Sequence, residues 1–265
     1  MAKSATKSQL KISPQTLAKR RFLRRTVGGA SALLLGGCDA LNDSRWFPKV
    51  LASAEGLSQT VHKALGGSSS MAQEFGVADL SPSFRGNGNT DPASPAYKAM
   101  AAQGFADWKL VVDGLVEKPI SLSLAELRAM PNRTQITRHD CVEGWSAIGQ
   151  WTGVQLGRVL ALAQPTAKAR YVVFHCADAF GSAPYYESID LEDAAHPQTL
   201  LAYGLNGKDL PIMNGAPLRL RVERQLGYKQ AKYVMRVELV ESFASMHGGR
   251  GGYWEDQGYQ WYAGI

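Results

Sequence analysis

Cysteine is scarce. The 265-residue chain has three, Cys38, Cys141 and Cys176, too few for a disulfide scaffold. There is no CxxC, no HExxH and no CxxCH, and the five histidines (His62, His139, His175, His196, His247) lie far apart. Zinc, iron–sulfur and c-type haem sites are therefore poorly supported. No GxGxxG follows an expected strand, which argues against a dinucleotide fold. No apolar run approaches the roughly 20 residues that span a bilayer. There is no internal repeat and no low-complexity block. An excess of positive charge is also missing from most of the chain, although the formal total is +6. Eight of the 29 basic residues and none of the 23 acidic ones fall in residues 1–38. The remainder carries a net charge of −2, which removes the case for a nucleic-acid partner.

What is present begins with that basic segment. Clustered cations precede the apolar block Thr26 to Gly37, the layout of an export signal. Arg20-Arg21-Phe22-Leu23 resembles a twin-arginine motif, and Leu35-Gly36-Gly37-Cys38 resembles a bacterial lipobox. The expectation is a periplasmic protein, anchored to the inner membrane through lipidated Cys38. The organisation expected is a signal over 1–38, a tether and irregular arm over 39–83, and one folded domain over 84–265.

In the body, Ser58 to Leu65 has the pattern of a short helix. Trp108 to Val112 reads as a strand closed by Asp113-Gly114, a hairpin dipeptide. Ser123-Leu124-Ala125-Glu126 is a capping box. Thr134 to Val142 is β-like, Val154 to Ala163 has helical spacing, and Tyr171 to Cys176 suits a buried strand. Asp190 can cap a helix over Leu191 to Ala195. Leu200 to Leu210 looks like a hairpin around Asn206-Gly207, and Leu218 to Glu223 and Tyr233 to Val240 alternate. Short helices among many strands predict an α+β domain with mixed sheets.

Two regions carry chemistry. Cys141 ends a predicted strand with His139 and Glu143 nearby. Its thiolate suits a nucleophile or soft-metal ligand, its thiol a buried core residue, and a disulfide to Cys176 is a third reading. Arg219, Arg221, Arg224, Lys229 and Lys232 form a cation run that suits either an anion site or a solvated sheet face. Gly248 to Gly252 reads as a flexible turn, and Tyr185 and Tyr186 as aromatics of a Gly/Pro-bounded loop, at a pocket rim or half-buried at the surface.

Asp140-Cys141-Val142-Glu143-Gly144-Trp145-Ser146, Trp151-Thr152-Gly153, His196-Pro197 and Asn214-Gly215-Ala216-Pro217-Leu218-Arg219 occur in this order. Together they resemble the sulfite oxidase superfamily of molybdopterin oxidoreductases, and within it the protein-methionine-sulfoxide reductase group, over roughly residues 84–240. The resemblance implies an α+β, sulfite oxidase-type molybdopterin-binding fold with mixed β-sheets, short helices and no C-terminal dimerisation domain, and a monomer. It implies one molybdopterin carrying one molybdenum, with Cys141 as metal ligand. Asn214 and Arg219 match residues that hold the pterin and its phosphate. Lys232 matches a phosphate-side position, with backbone from Gln230 and Ala231, and Asn87 matches a pterin-contacting Asn. Cys176 stands where the reductases have a pterin-contacting Thr, a departure that leaves its role open. Glu143 and His139 are the candidates to tune proton uptake. Electrons then pass to or from a separate partner, a membrane b-type cytochrome or a soluble cytochrome c. The Arg-containing sequence typical after the sulfite oxidase cysteine is absent, so two-electron reduction of a small-molecule or protein-bound sulfoxide is expected. The alternatives are a dehydrogenase for sulfite or another small sulfur compound, and a non-catalytic lipoprotein stapled by a Cys141–Cys176 disulfide.

Overall fold

Among the described residues ten strands fall into two sheets, and the pattern of buried residues shows why. A computed structural model describes residues 56–58, 60, 61 and 70–265. The signal, the twin-arginine motif and Cys38 lie outside these residues. Of the expected helix at 58–65, the described residues Ser58, Thr60 and Val61 are helical.

The first sheet holds β1 (Lys109–Gly114), β2 (Ile120–Ser123), β5 (Tyr171–Phe180), β6 (Ala183–Asp190) and β10 (Val234–Val240), in the order β2-β1-β10-β5-β6. β1 and β10 are parallel and their neighbours antiparallel. Leu110, Val112, Val172, Phe174, Val237 and Leu239 are buried here in one core. The second sheet runs β3 (Asn132–Cys141), β4 (Trp145–Gln155), β7 (Leu200–Leu205) and β8 (Lys208–Asp209), with β9 (Arg219–Arg221) paired to β7. All its pairings are antiparallel.

The helices are short: α1 (Pro95–Ala102), α2 (Leu124–Ala129), α3 (Leu156–Ala163), α4 (Leu191–Ala195) and α5 (Tyr253–Asp256). Ser123 and Glu126 form the expected capping box at α2. α3 buries Leu156, Val159, Leu160 and Ala163, the i, i+3, i+4, i+7 stripe of a helix lying on a core. Asp190 accepts the N–H of Asp193 at the start of α4. Asn206 and Gly207 take φ values of 52° and 73°, the left-handed pair that a two-residue hairpin turn needs.

Four expectations change. Asp113-Gly114 makes no tight hairpin: it continues β1 alongside β10, and β2 returns after a longer loop. Val154 ends β4 instead of opening α3. Tyr185 and Tyr186 are buried residues of β6, not loop aromatics. Gly248 to Arg250 keep the expected turn at the surface, but Gly251 and Gly252 are buried, so the glycine-rich segment is packed in its second half.

Candidate active site

The long β3–β4 ladder places Cys141 at its tip, paired with Trp145, and Gly144 closes the turn by donating to the Cys141 carbonyl at 3.0 Å. Beside it opens a cleft of about 210 Å³. Its lining comes from separate elements: Asn87, Gly88 and Asn89 of the arm, whose irregular course runs past residue 83 to the start of α1; Cys141, Val142 and Glu143 of the hairpin tip; Asp178 and Phe180 of β5; and Tyr185 of β6. Gly227, Tyr228, Gln230 and Lys232 of the segment before β10, and Trp254 and Tyr259 near the C-terminus, complete it.

Five of the residues expected at the site therefore share this cleft: Asn87, Cys141, Glu143, Gln230 and Lys232. Asn214, Arg219 and Ala231 are buried and are not part of the lining. Arg219 donates to the Asn214 carbonyl at 2.9 Å and to the Gln230 carbonyl at 3.4 Å. Cys176 in β5 and His139 in β3 do not line the cleft. Cys141 and Cys176 are both free thiols, which overturns the disulfide reading and the stapled lipoprotein built on it.

The electrostatics divide the cation run. Arg221 is paired with Glu223 at 2.5 Å, Lys229 with Glu187 and Glu255, and Arg224 with Asp193 at 3.4 Å. Arg219 is fully buried, and neither it nor Lys232 has a carboxylate within ion-pair distance among the described residues. Burial and the Arg221 charge press the Arg219 guanidinium down to about 9. Burial and Arg219 press the Lys232 ammonium down to about 7. Two cations destabilised in this way are the electrostatic complement of an anion. A solvated sheet face is excluded, since β9 is buried throughout.

Burial pushes the Cys141 thiol up, and the Glu143 charge adds to this, while the backbone N–H groups of Glu143 and Val142 oppose it. Such a thiol stays protonated at neutral pH unless a cation draws the proton off. His139 is fully buried. Its Nδ1 stands 3.0 Å from Arg221, which can only donate, so the ring proton sits on Nε2. Burial, then Arg221 and Arg219, hold this imidazole neutral. A Cβ on Gly227 would stand 2.6 Å from His139 Nε2, so the imidazole lies directly behind the cleft wall. Burial, Asp178 and Glu187 push the Cys176 thiol well up.

Reading the sequence missed Asp178, Phe180, Tyr228, Trp254 and Tyr259. Five aromatics within residues 253–262 were an available signal for the last two. Asp178 had none.

Residues 97–247 match the oxidoreductase molybdopterin-binding domain, and the chain belongs to that family: it is a molybdenum-cofactor-dependent oxidoreductase. A putative protein-methionine-sulfoxide reductase subunit, YedZ1, of Azospira oryzae is 38% identical over 249 residues, covering 93% of this chain and 88% of that protein. The protein-methionine-sulfoxide reductase catalytic subunit MsrP of Xanthomonas axonopodis pv. citri is 44% identical over 167 residues, 59% of this chain. The match spans about half of that relative, 51%. The solved sulfane dehydrogenase SoxCD of Paracoccus pantotrophus aligns at 24% identity over 52% of this chain and 39% of its own, with a TM-score of 0.48.

The site fits Mo-molybdopterin. Among the described residues Arg219 Nε, Gln230 Oε1, Asp178 Oδ1 and His139 Nε2 are buried polar atoms without a partner. Two donors and two acceptors left open beside two cations without a carboxylate are what a polar, phosphorylated heterocycle would satisfy.

Proposed function

We propose that the chain reduces sulfoxides at a molybdenum ligated by the Cys141 thiolate, each sulfoxide taking two electrons and two protons and leaving as the thioether and one water. The observation that carries this reading is the composition of the cleft. Besides Cys141 it offers the carboxylates Glu143 and Asp178 and the aromatics Phe180, Tyr185, Tyr228, Trp254 and Tyr259. Its one basic side chain, Lys232, has its ammonium on the carbonyls of Asn87, Asn89 and Met213 at 2.6, 2.5 and 3.0 Å. Carboxylates and aromatic faces disfavour an anion such as sulfite and favour a neutral sulfoxide with apolar substituents. The names of the two relatives agree with this choice.

When bound, the cofactor supplies the two-electron oxygen-atom transfer. Arg219 and Lys232, with the backbone of Gln230 and Ala231, balance its phosphate, and Asn87 and Asn214 hold the pterin, with Cys176 in the place of the reductases' Thr. Glu143, held by the Trp145 indole N–H at 3.0 Å, presents a carboxylate for proton uptake at the cleft. His139 acts from behind the wall by fixing Arg221. Electrons come from a separate carrier, a membrane b-type cytochrome or a soluble cytochrome c, and the basic, apolar leader ending at Cys38 addresses the protein to the periplasmic face of the inner membrane.

The test is one preparation. Full-length protein from a host that makes molybdopterin is fractionated, analysed for metal, and assayed with a reduced dye on methionine sulfoxide peptides, small sulfoxides and, in the oxidising direction, sulfite. The expected result is membrane-associated periplasmic protein with about one molybdenum per chain that turns over sulfoxides. Cys141→Ser should lower activity by at least about 10³-fold. Sulfite oxidation without sulfoxide reduction reverses the assigned direction. Cytoplasmic protein removes the address, and full activity in Cys141→Ser removes the ligand assignment.

A further inference from the structure

Behind the aromatic side of the cleft lie three fully buried ionisable side chains that the proposed reaction does not use. Lys229 donates to Glu187 at 2.5 Å and also to Glu255, and all three side chains are wholly inaccessible. Each carboxylate keeps one oxygen, Glu187 Oε2 and Glu255 Oε2, without a partner among the described residues. Two carboxylates against one ammonium leave an uncompensated charge in a dry interior, which one shared proton removes. Burial and the Glu255 charge push Glu187 well up, consistent with the proton residing there.

The triad joins three elements that have no backbone continuity. Glu187 lies on β6, two residues after Tyr185 and so on the same face. Lys229 directly follows Tyr228, and Glu255 directly follows Trp254. Each member thus has a cleft-lining aromatic as a near neighbour in sequence. Those aromatics are in register with one another through Phe180 and Tyr259. Phe180 lies 6.1 Å from Tyr185 and 5.5 Å from Trp254, and Tyr259 lies 5.4 Å from Trp254 and 5.2 Å from Tyr228. The Tyr185 hydroxyl donates to the Tyr228 carbonyl at 2.8 Å. Gly252 leaves room for the triad, since a Cβ there would overlap Glu255 Oε2.

We propose that Lys229, Glu187 and Glu255 are positioning residues that assemble the aromatic wall from β6, the segment before β10 and α5. The wall takes the apolar part of the substrate next to the sulfoxide, so the triad sets the affinity for sulfoxides with extended apolar substituents and leaves that for dimethyl sulfoxide little changed. This rests on the sulfoxide-reductase reading.

The test uses loaded full-length protein carrying Glu255→Gln, which keeps the shape of the side chain; Lys229→Met is the harsher variant. Molybdenum content should match the parent protein. KM for a methionine sulfoxide peptide should rise about tenfold, with kcat and the KM for dimethyl sulfoxide both moving less than about threefold. Acrylamide quenching of Trp254 fluorescence, taken as the difference from a Trp254→Phe background, should increase. Equal KM shifts for both substrates, a fall in kcat alone, or unchanged Trp254 quenching would overturn the proposal. If the parent protein reduces no sulfoxide, the functional reading fails by itself and the quenching result still decides whether the triad positions the wall.

Discussion

Asp178 is 4% exposed, lines the cleft, and has one carboxylate oxygen without a partner among the described residues. Burial pushes its carboxyl from the ordinary 3.8 up to about 6, against the pull of Lys232. An acid whose folded value is raised contributes stability fully below the unfolded value and loses it as pH rises through the folded one. The loss therefore falls between about pH 4 and 6, and at pH 7 the ionised group costs roughly 2–3 kcal/mol. Asp178→Asn should stabilise the cofactor-free protein by about that amount at pH 7 in urea unfolding, with the gain gone near pH 4. An unchanged midpoint at pH 7 would show that Asp178 is already satisfied. Nothing in Val173-Phe174-His175-Cys176-Ala177-Asp178 announces this role. The apolar run predicted a strand ending at Cys176, but β5 continues to Phe180 through an irregular stretch of its pairing with β6. Cys141 was legible only through the four motifs in order, because a lone Cys at the end of a strand suits a core thiol or a disulfide as well as a ligand. Asp178 was not, because its burial is created by β6, the arm and the C-terminal segment together.

β9 contains two arginines on one face with opposite circumstances. Arg221 is enclosed by Glu223, by His139 at 3.0 Å and by the Trp151 ring at 4.3 Å from its guanidinium carbon. Arg219 shares the Trp151 ring, at 4.8 Å, and otherwise has carbonyls only. Removing the acid of a buried pair leaves a bare charge, so Glu223→Ala should cost about 3–5 kcal/mol. Arg219→Met removes a cation with no counter-charge in the protein, so it should cost the cofactor-free chain less than about 1 kcal/mol. The same variant should abolish molybdenum retention on gel filtration. Comparable destabilisation by both variants would contradict the division drawn between them. The alternation Leu218 to Glu223 correctly predicted a strand, yet it left open whether the polar face was solvated or an anion site. Both faces are buried, and a period-2 pattern cannot distinguish water from a neighbouring sheet, or from a cofactor, as the partner of its polar face. β4, eleven residues long, went unrecognised because Gly149, Gly153 and polar residues interrupt it; β3 and β7 on either side make it a strand.

Beside the cleft, one lysine ties the arm to the body of the domain through three carbonyls. Lys232 reaches across 145 and 143 positions to the carbonyls of Asn87 and Asn89, and the Tyr233 hydroxyl donates to the same Asn89 carbonyl at 2.9 Å. The arm shows turn chemistry in sequence, but turns alone do not say what a loop lies against. Its placement is a long-range property, fixed by an ammonium and a phenol from the segment at the start of β10. Upstream, Phe75 donates to the Ile136 carbonyl at 2.9 Å and Ser81 to that of Ile148 at 3.1 Å, so the chain is held on β3 and β4 before it crosses the cleft. With its upstream end anchored at Phe75 and Ser81 and the stretch from Asn87 to Asn89 held by Lys232, the arm forms one side of the cofactor site without contributing a strand. Lys232→Met keeps the aliphatic stem and deletes the donors to three carbonyls. It should expose Gly86 to Asn89 to limited proteolysis, raising the cleavage rate there by about tenfold, since cleavage follows the population of the open segment. Tyr233→Phe removes one donor and should give a smaller increase. Both variants should leave global unfolding in urea within about 1 kcal/mol of the parent, because the opening is local. Cleavage in the arm at the parent's rate in Lys232→Met would mean that the anchors at Phe75 and Ser81 hold the arm without the lysine, leaving Lys232 to the phosphate alone.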